Sequence, residues 1–354
     1  MQFTPPCCPN AACEKHRAPT PGFCIRRGHY WPACRPQPVQ RYLCKTCEHS
    51  FSRQTFRHDF GDQRPECNAQ FWTLLVSGIG LRQLGRVLGL NIRSVQEKKR
   101  KMARTCALLH SNLSPSLPPG RTYLLDEEET FEGASIRPLT MPVLIEKDTW
   151  FVVSTAVGKI RRLAQQGSAR RVRQDLDERD APRPDESRKC VAQVLAELAR
   201  RVPTGAIPLR TDQKASYGVV AREVFGDRLE HETTAGTRIR STHNPLFAIN
   251  TTMAMTRDNL GRLRRRSWLV TKVGGQLQNH LALFTVYRNY VRRRFNRDKE
   301  NETPAQILKL LPRRLRNHEV VAWRQDWGDR SIHPMSFSAS RTVRQALSAD
   351  ALAT

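Results

Sequence analysis

Acidic residues are scarce in this chain. Its 354 residues carry 33 Asp and Glu against 59 Lys and Arg, a formal net charge of +26. So few negative charges argue against cationic substrates and favour polyanions. Nucleic acid is the expected partner, because each neutralised phosphate releases condensed counterions. Long hydrophobic runs are missing too, so no membrane span is expected. Met1 to Asn10 shows no basic stretch followed by an apolar one, so no secretory leader is read and a cytosolic protein is expected. Cysteine is nearly absent after Cys67, where only Cys106 and Cys190 follow; Cys7, Cys8, Cys13, Cys24, Cys34, Cys44, Cys47 and Cys67 crowd the N-terminal part. In a reducing cytosol such clustering points to metal rather than to disulfides. No internal repeat is visible.

What is present divides by composition. Residues 1–58 are rich in Cys, Pro and Arg with little helical period, and 65–112 read as helices. A linker with Pro115, Pro118, Pro119 and Gly120 follows. Short β-branched or apolar runs at 122–126, 139–146 and 150–157 predict strands. The segment 158–184 is charged and poor in apolar residues, which predicts a mobile surface insertion. Val191, Val194, Leu195 and Leu198 place a helix after Asp185. A strand at 208–212, a helix at 215–224, a strand at 228–232 and long helices at 245–267 and 276–296 complete the pattern. Thr303 caps a short helix with Pro304 at its first position, and the last fifteen or so residues read as disordered. The expected class is multidomain α/β: a zinc-binding unit at 1–58, an all-α unit at 65–112, a mixed β-sheet flanked by helices at 120–297, and a partly disordered extension at 298–354.

Cys44-Lys-Thr-Cys47 is a CxxC knuckle, and Cys8 and Cys13 form a looser one upstream. Two such turns place four thiolates around one tetrahedral Zn²⁺. Cys7, Cys24 and Cys34 are rival ligands. No His-x-Glu stands nearby, so the site reads as structural rather than as a zinc deaminase. Downstream, Phe71, Leu74 and Leu75 open a helix that Ser77-Gly78 stops, and Leu81, Leu84 and Val87-Leu88 form a second, closed by Gly89. Asn91 caps a third, with Val95 and Met102 inward and Arg93, Gln96, Lys98, Lys99 and Arg100 on the face read as outward. A helix-turn-helix recognition helix needs such a face, with Arg and Gln for base edges and Lys for phosphates.

Tyr123-Leu-Leu-Asp126 is an apolar strand ending in acid, continued by Glu127, Glu128, Glu129 and Glu132; Leu209-Arg-Thr-Asp212 ends the same way. Two aspartates at neighbouring strand ends suit two Mg²⁺ ions and phosphodiester chemistry. Each alone would be an ordinary acid before a helix. His243 and His280 lack partners at ligand spacing, and the helix with Leu277, Leu281 and Phe284 reads as core.

Several of these segments together resemble a known family. Asp126-Glu-Glu-Glu-Thr-Phe-Glu132, Arg137-Pro-Leu139 and Ile145-Glu-Lys147 look like the first strands of a bacterial insertion-sequence transposase, and Asn244-Pro-Leu-Phe247, Arg257 and Arg262-Leu-Arg-Arg-Arg-Ser-Trp268 look like its closing helix. The resemblance runs over about residues 5–310. It implies a zinc ribbon, a helix-turn-helix and an RNase H-like core of the DDE type, with Asp126 and Asp212 as first and second acids and two Mg²⁺ as cofactors. Asn250 stands at the position matching the family's third acid. Asp258, about 80° further round the same helix, is the chemical alternative, and Glu127 or Glu129 are further ones. Arg262, Arg264, Arg265 and Arg266 are expected on DNA phosphates. The implied protein binds double-stranded DNA, forms homo-oligomers on element ends and lies in the bacterial cytoplasm on the nucleoid. A regulator descended from such an enzyme, without its metal site, is the alternative that Asn250 favours; an RNA-processing nuclease is a third reading.

Overall fold

The computed structural model describes residues 3–32, 36–56, 59, 60, 62, 64–239, 241–264 and 270–322. At the N-terminus a single turn, α1 (Glu14–Arg17), precedes the strands β1 (Cys24–Tyr30), β2 (Val39–Cys44) and β3 (Ser50–Ser52). They pair antiparallel in that order. The apolar interior of this unit consists chiefly of Phe23, Tyr42, Phe51 and Phe56 around the cysteines. Four rings are little core for so short a segment.

Three helices follow, α2 (Asn68–Val76), α3 (Leu81–Leu88) and α4 (Ile92–Leu113). Their ends fall where the local chemistry requires. Gly89 terminates α3 in the left-handed region at φ 61°, which glycine adopts without a Cβ clash. Asn91 caps α4, its side chain accepting from the Ser94 N–H at 2.8 Å. The second half of α4 leaves the helical unit: Ala103, Cys106, Leu108, Leu109 and Leu113 share one buried cluster with Phe151, Val153, Val191 and Leu195. His110 anchors the same contact, bonded to the Tyr290 hydroxyl at 2.9 Å and the Val153 carbonyl at 3.0 Å.

The larger sheet contains β4 (Tyr123–Phe131), β5 (Pro138–Glu146), β6 (Val152–Thr155), β7 (Gly158–Lys159), β8 (Ile207–Asp212) and β9 (Leu229–Thr234). Its order is β6-β5-β4-β8-β9, with β7 paired to β5. β4 runs antiparallel to β5 but parallel to β8, and β8 parallel to β9. The helices α5 (Ala169–Asp177), α6 (Ser187–Arg201) and α7 (Ala215–Phe225) lie between β7 and β9 in the chain, with β8 separating α6 from α7. After β9 come α8 (Phe247–Asn259), α9 (Gly261–Arg264), α10 (Gly274–Val286), α11 (Pro304–Ile307) and α12 (Asn317–Ala322). The period of two along each strand divides the core between two faces. Tyr123, Leu125, Leu144, Ile207 and Leu209 pack under α4, α6 and α7. Leu124, Met141, Val143 and Ile145 pack under α8 and α10. The architecture is thus a mixed sheet flanked by helices, joined to a small four-cysteine unit.

Three expectations change. The segment 158–184, expected as a mobile surface insertion, contains β7 and α5. Buried Gln174 donates to the Arg162 carbonyl (2.7 Å) and accepts from the Ala164 N–H (2.8 Å), and Arg183 donates to the Pro138 carbonyl (2.9 Å). Polar contacts do here what apolar burial does elsewhere, so hydropathy alone misses them. The single helix expected at 245–267 breaks at Leu260, which is extended (φ −111°, ψ 95°). Beyond the break Gly261 lies on Gly78, so closely that a Cβ would overlap the Gly78 carbonyl oxygen. The helix expected at 276–296 begins at Gly274 and widens into a π-turn over Tyr287–Val291. The expected disordered end lies outside the described residues.

Candidate metal centre and carboxylate site

The ligand atoms of Cys8, Cys13, Cys44 and Cys47 all lie within 4.8 Å of one another. Cys8 and Cys47 sulfurs are 3.6 Å apart, and Cys13 and Cys44 sulfurs 3.8 Å. A tetrahedron with metal–sulfur bonds of about 2.3 Å has edges of about 3.8 Å, so the sulfurs fit one Zn²⁺. Local structure sets this spacing. Asn10 turns the first knuckle, its side chain accepting from the Ala12 N–H at 3.1 Å. The second turns through Glu48 at φ 55°, whose N–H donates to the Cys44 carbonyl at 3.0 Å. Burial, then the neighbouring sulfurs, push the Cys8 thiol well above its ordinary value; a bound cation would reverse that preference. The four cysteines can therefore hold a structural metal such as zinc. The rivals Cys7 and Cys24 stand outside the group, and Cys34 lies outside the described residues.

The carboxylates sit on β4 and β8. The two strands are in register at Tyr123–Leu209 and Leu124–Arg210. Continued by two residues, that register sets Asp126 beside Asp212, on strands about 4.8 Å apart. Both share the face of Leu124, the one that α8 covers. Each aspartate uses Oδ1 for a backbone N–H: Glu127 donates to Asp126 at 2.7 Å, and Lys214 to Asp212 at 2.9 Å. Neither carboxylate has a Lys or Arg partner among the described residues. Burial foremost, with the charge of Asp212 adding, pushes the Asp126 carboxyl up to about 6. Two adjacent carboxylates, both half-buried and with no Lys or Arg opposite among the described residues, form a donor set that hard divalent cations fit.

The neighbouring acids divide by strand parity. Glu128 lies on the Asp126 face and pairs with Arg257 of α8. Glu127 points to the other face, where it accepts from Thr140 at 2.6 Å, Ser187 at 2.9 Å and the Lys214 ammonium. The charge of Glu127, after burial, helps to hold the Tyr217 hydroxyl well above the ordinary phenol value. Glu127 is therefore turned away from Asp126 and Asp212 and is occupied, contrary to its candidacy as a third ligand. Glu129 lies on that other face too and pairs with Arg162. Asp258 is likewise not brought to the pair: its side chain is 68% exposed and is held by Arg264. Asn250 is half-buried on α8, next to Ile249, which packs in the Leu124 cluster. Among the described residues no third acid, histidine or cysteine joins Asp126 and Asp212 in a ligand group. Lys214, Tyr217 and Ser187 were missed in the sequence, and Arg257 was singled out there only as part of the family resemblance; the one available signal was the alternation along β4.

Along α4, Arg93, Gln96 and Arg100 are exposed as expected. Lys98 and Lys99 are not. Lys98 is buried and donates to Asn68 at 2.8 Å and to the Arg64 carbonyl at 3.0 Å, with Asp62 at 3.4 Å. Lys99 is 0% exposed and reaches the Gln276 carbonyl of α10 at 3.4 Å. Packing of α3, α10 and α12 around α4 broadens its inward side beyond the usual stripe, so neither lysine lies on the outward face predicted for it. Arg264 is exposed, whereas Arg262 is half-buried and donates to His280 Nδ1 at 3.0 Å. Arg265 and Arg266 lie outside the described residues.

No family model and no curated protein matches the chain. Among solved structures it is similar to the cryo-EM structure of a simian T-cell lymphotropic virus intasome in complex with PP2A regulatory subunit B56 gamma, at 9% identity over 68% of this chain and 72% of that chain. The TM-score of 0.29 is too low for that likeness to bear on fold or function. Among the described residues no helix is long and apolar enough to cross a membrane.

Proposed function

We propose that this chain is a DDE-type DNA transposase, with a zinc ribbon at 1–58, a helix-turn-helix at 65–112 and an RNase H-like core at 120–297. The observation that carries the reading is the pair Asp126–Asp212, two residues beyond the paired Leu124 and Arg210 on adjacent parallel strands and close enough for the charge of Asp212 to act on Asp126, with no Lys or Arg partner among the described residues. The sheet order, three antiparallel strands continued by two parallel ones, supports the core assignment. The exposed Arg93, Gln96 and Arg100 support duplex DNA as the partner. Homo-oligomers on DNA follow from the need to hold two element ends together.

Asp126 and Asp212 would hold the divalent cations, and Asn250 would add a neutral oxygen from α8. When bound, a pair of Mg²⁺ ions supplies activation of the attacking oxygen and stabilisation of the leaving oxygen of a phosphodiester. The protein's own part is to aim both carboxylates to one side. The Glu127 and Lys214 N–H donors fix Oδ1 of each. Arg257, held by Glu128, places positive charge at the rim, where a DNA phosphate would approach. The test is Mg²⁺-dependent strand transfer with DNA carrying the element ends. Transfer by the wild type that Asp126→Ala and Asp212→Ala both abolish supports the enzyme.

Asn250 and the missing third acid favour a second reading, a transposase-derived DNA-binding regulator. Sequence-selective binding to the same DNA, unchanged by Asp126→Ala and without strand transfer, would establish it instead.

A further inference from the structure

A cleft of about 1400 Å³ opens between α3–α4 on one side and α9–α10 on the other. Its floor holds Lys99, Arg262 and His280. Lys99 is fully buried, yet its only hydrogen-bond partner among the described residues is the Gln276 carbonyl at 3.4 Å. Arg262 donates to Nδ1 of His280, which fixes the proton of that ring on Nε2. That N–H is buried and has no hydrogen-bond partner among the described residues. The arrangement is unfavourable for an empty interior, because a buried cation ordinarily has a carboxylate opposite. Among the described residues the only acid lining the cleft, Glu97, is taken by Arg100 at 2.8 Å. The exposed rim adds Arg82, Arg86 and Lys272. Burial, with Arg262 nearby, pulls Lys99 down to about 7, and burial pulls Arg262 down to about 10. A bound anion would reverse both effects and give the His280 N–H an acceptor.

We propose that this cleft is a phosphate-binding site with Lys99, Arg262 and the His280 Nε2–H as its donors, and that the phosphate it takes belongs to a DNA backbone. The source of the phosphate rests on the DNA reading above; the anion site itself rests only on the cleft. A free phosphate would satisfy the same donors, but the cationic rim continues past the floor onto the exposed face of α4, as a polyanion requires. Lys99, misread as an outward contact of the recognition helix, would then bind phosphate from inside the junction between the helical unit and the sheet.

The test uses the full chain, with Lys99→Met and Arg262→Gln, in two measurements. Thermal unfolding is followed with inorganic phosphate replacing chloride at constant ionic strength. Binding to a labelled duplex is followed by anisotropy across a salt series. Phosphate should raise the melting temperature of the wild type and not of either variant, since a ligand of the folded state stabilises it. Each variant should bind the duplex about tenfold more weakly, with the slope of log K against log salt reduced by about 1. Should Lys99→Met fail to fold, Arg262→Gln and the charge-keeping Arg262→Lys carry the comparison. Unchanged phosphate stabilisation and an unchanged salt slope in the folded variants would overturn the site. Phosphate stabilisation lost while the duplex slope stays intact would overturn the DNA assignment and point to free phosphate. Absence of strand transfer alongside the expected slope changes would instead count against the transposase reading.

Discussion

Asp126 and Asp212 share one face of two parallel strands, two residues beyond the paired Leu124 and Arg210 and without a Lys or Arg partner among the described residues, and Asp126 holds its proton up to about pH 6 as a result of burial first and its neighbour's charge second. Ionised, Asp126 therefore opposes folding. Its folded value lies about two units above the ordinary one, which corresponds to about 3 kcal/mol at most. The sign is that of any raised group: its favourable contribution is complete below pH 4 and is lost as pH rises through about 6.

Asp126→Asn should therefore stabilise the protein by about 1–3 kcal/mol at pH 7 while removing the proposed Mg²⁺-dependent chemistry. Urea denaturation at pH 4 and pH 7 checks it. The gain should be present at pH 7 and vanish at pH 4, and Mg²⁺ should raise the wild-type midpoint but not that of the variant.

One residue along the strand, the sign reverses. Burial raises Glu127, but its bonds to Lys214, Thr140 and Ser187 outweigh this and hold its carboxyl below the ordinary value. Its stabilising contribution is present at neutral pH and lost as pH falls through the carboxylate range. Glu127→Ala should destabilise the fold by about 2–3 kcal/mol, less than a fully buried pair because the Lys214 side chain is 34% exposed. An equilibrium unfolding curve showing no loss would contradict this network.

The four-cysteine unit should carry about one zinc per chain. Metal analysis after Cys44→Ser or Cys8→Ser should show it lost, along with the ordered structure of the N-terminal strands, since structural zinc supplies on the order of 10 kcal/mol to finger-sized units. Cys7→Ser and Cys24→Ser should retain it.

Positions on α4 should separate by burial. Arg93→Ala and Gln96→Ala should leave the melting temperature within the range of ordinary surface changes and weaken duplex binding. Lys98→Ala should lower stability by about 1–3 kcal/mol, because Asp62 and Asn68 lose a buried partner. Paired thermal-unfolding and anisotropy measurements distinguish the two classes.

Much of this protein was fixed by residues close together in the chain. Gly89 and Asn91 set the turn between α3 and α4, Thr303 and Gln306 made the capping box before α11, and the knuckles at Cys8–Cys13 and Cys44–Cys47 supplied one ligand set. Such signals are legible because capping, turn conformation and metal-ligand spacing depend on a few neighbouring residues. The tertiary structure alone decided which side each group faces. Asp126 met Asp212 through a strand pairing across more than eighty residues, α10 closed over Lys99 from more distant sequence still, and Arg264 drew Asp258 outward. The physical reason is that a side chain's charge and period state what it prefers, while the segment packed against it determines whether it meets water, a counter-ion or another charge of its own sign.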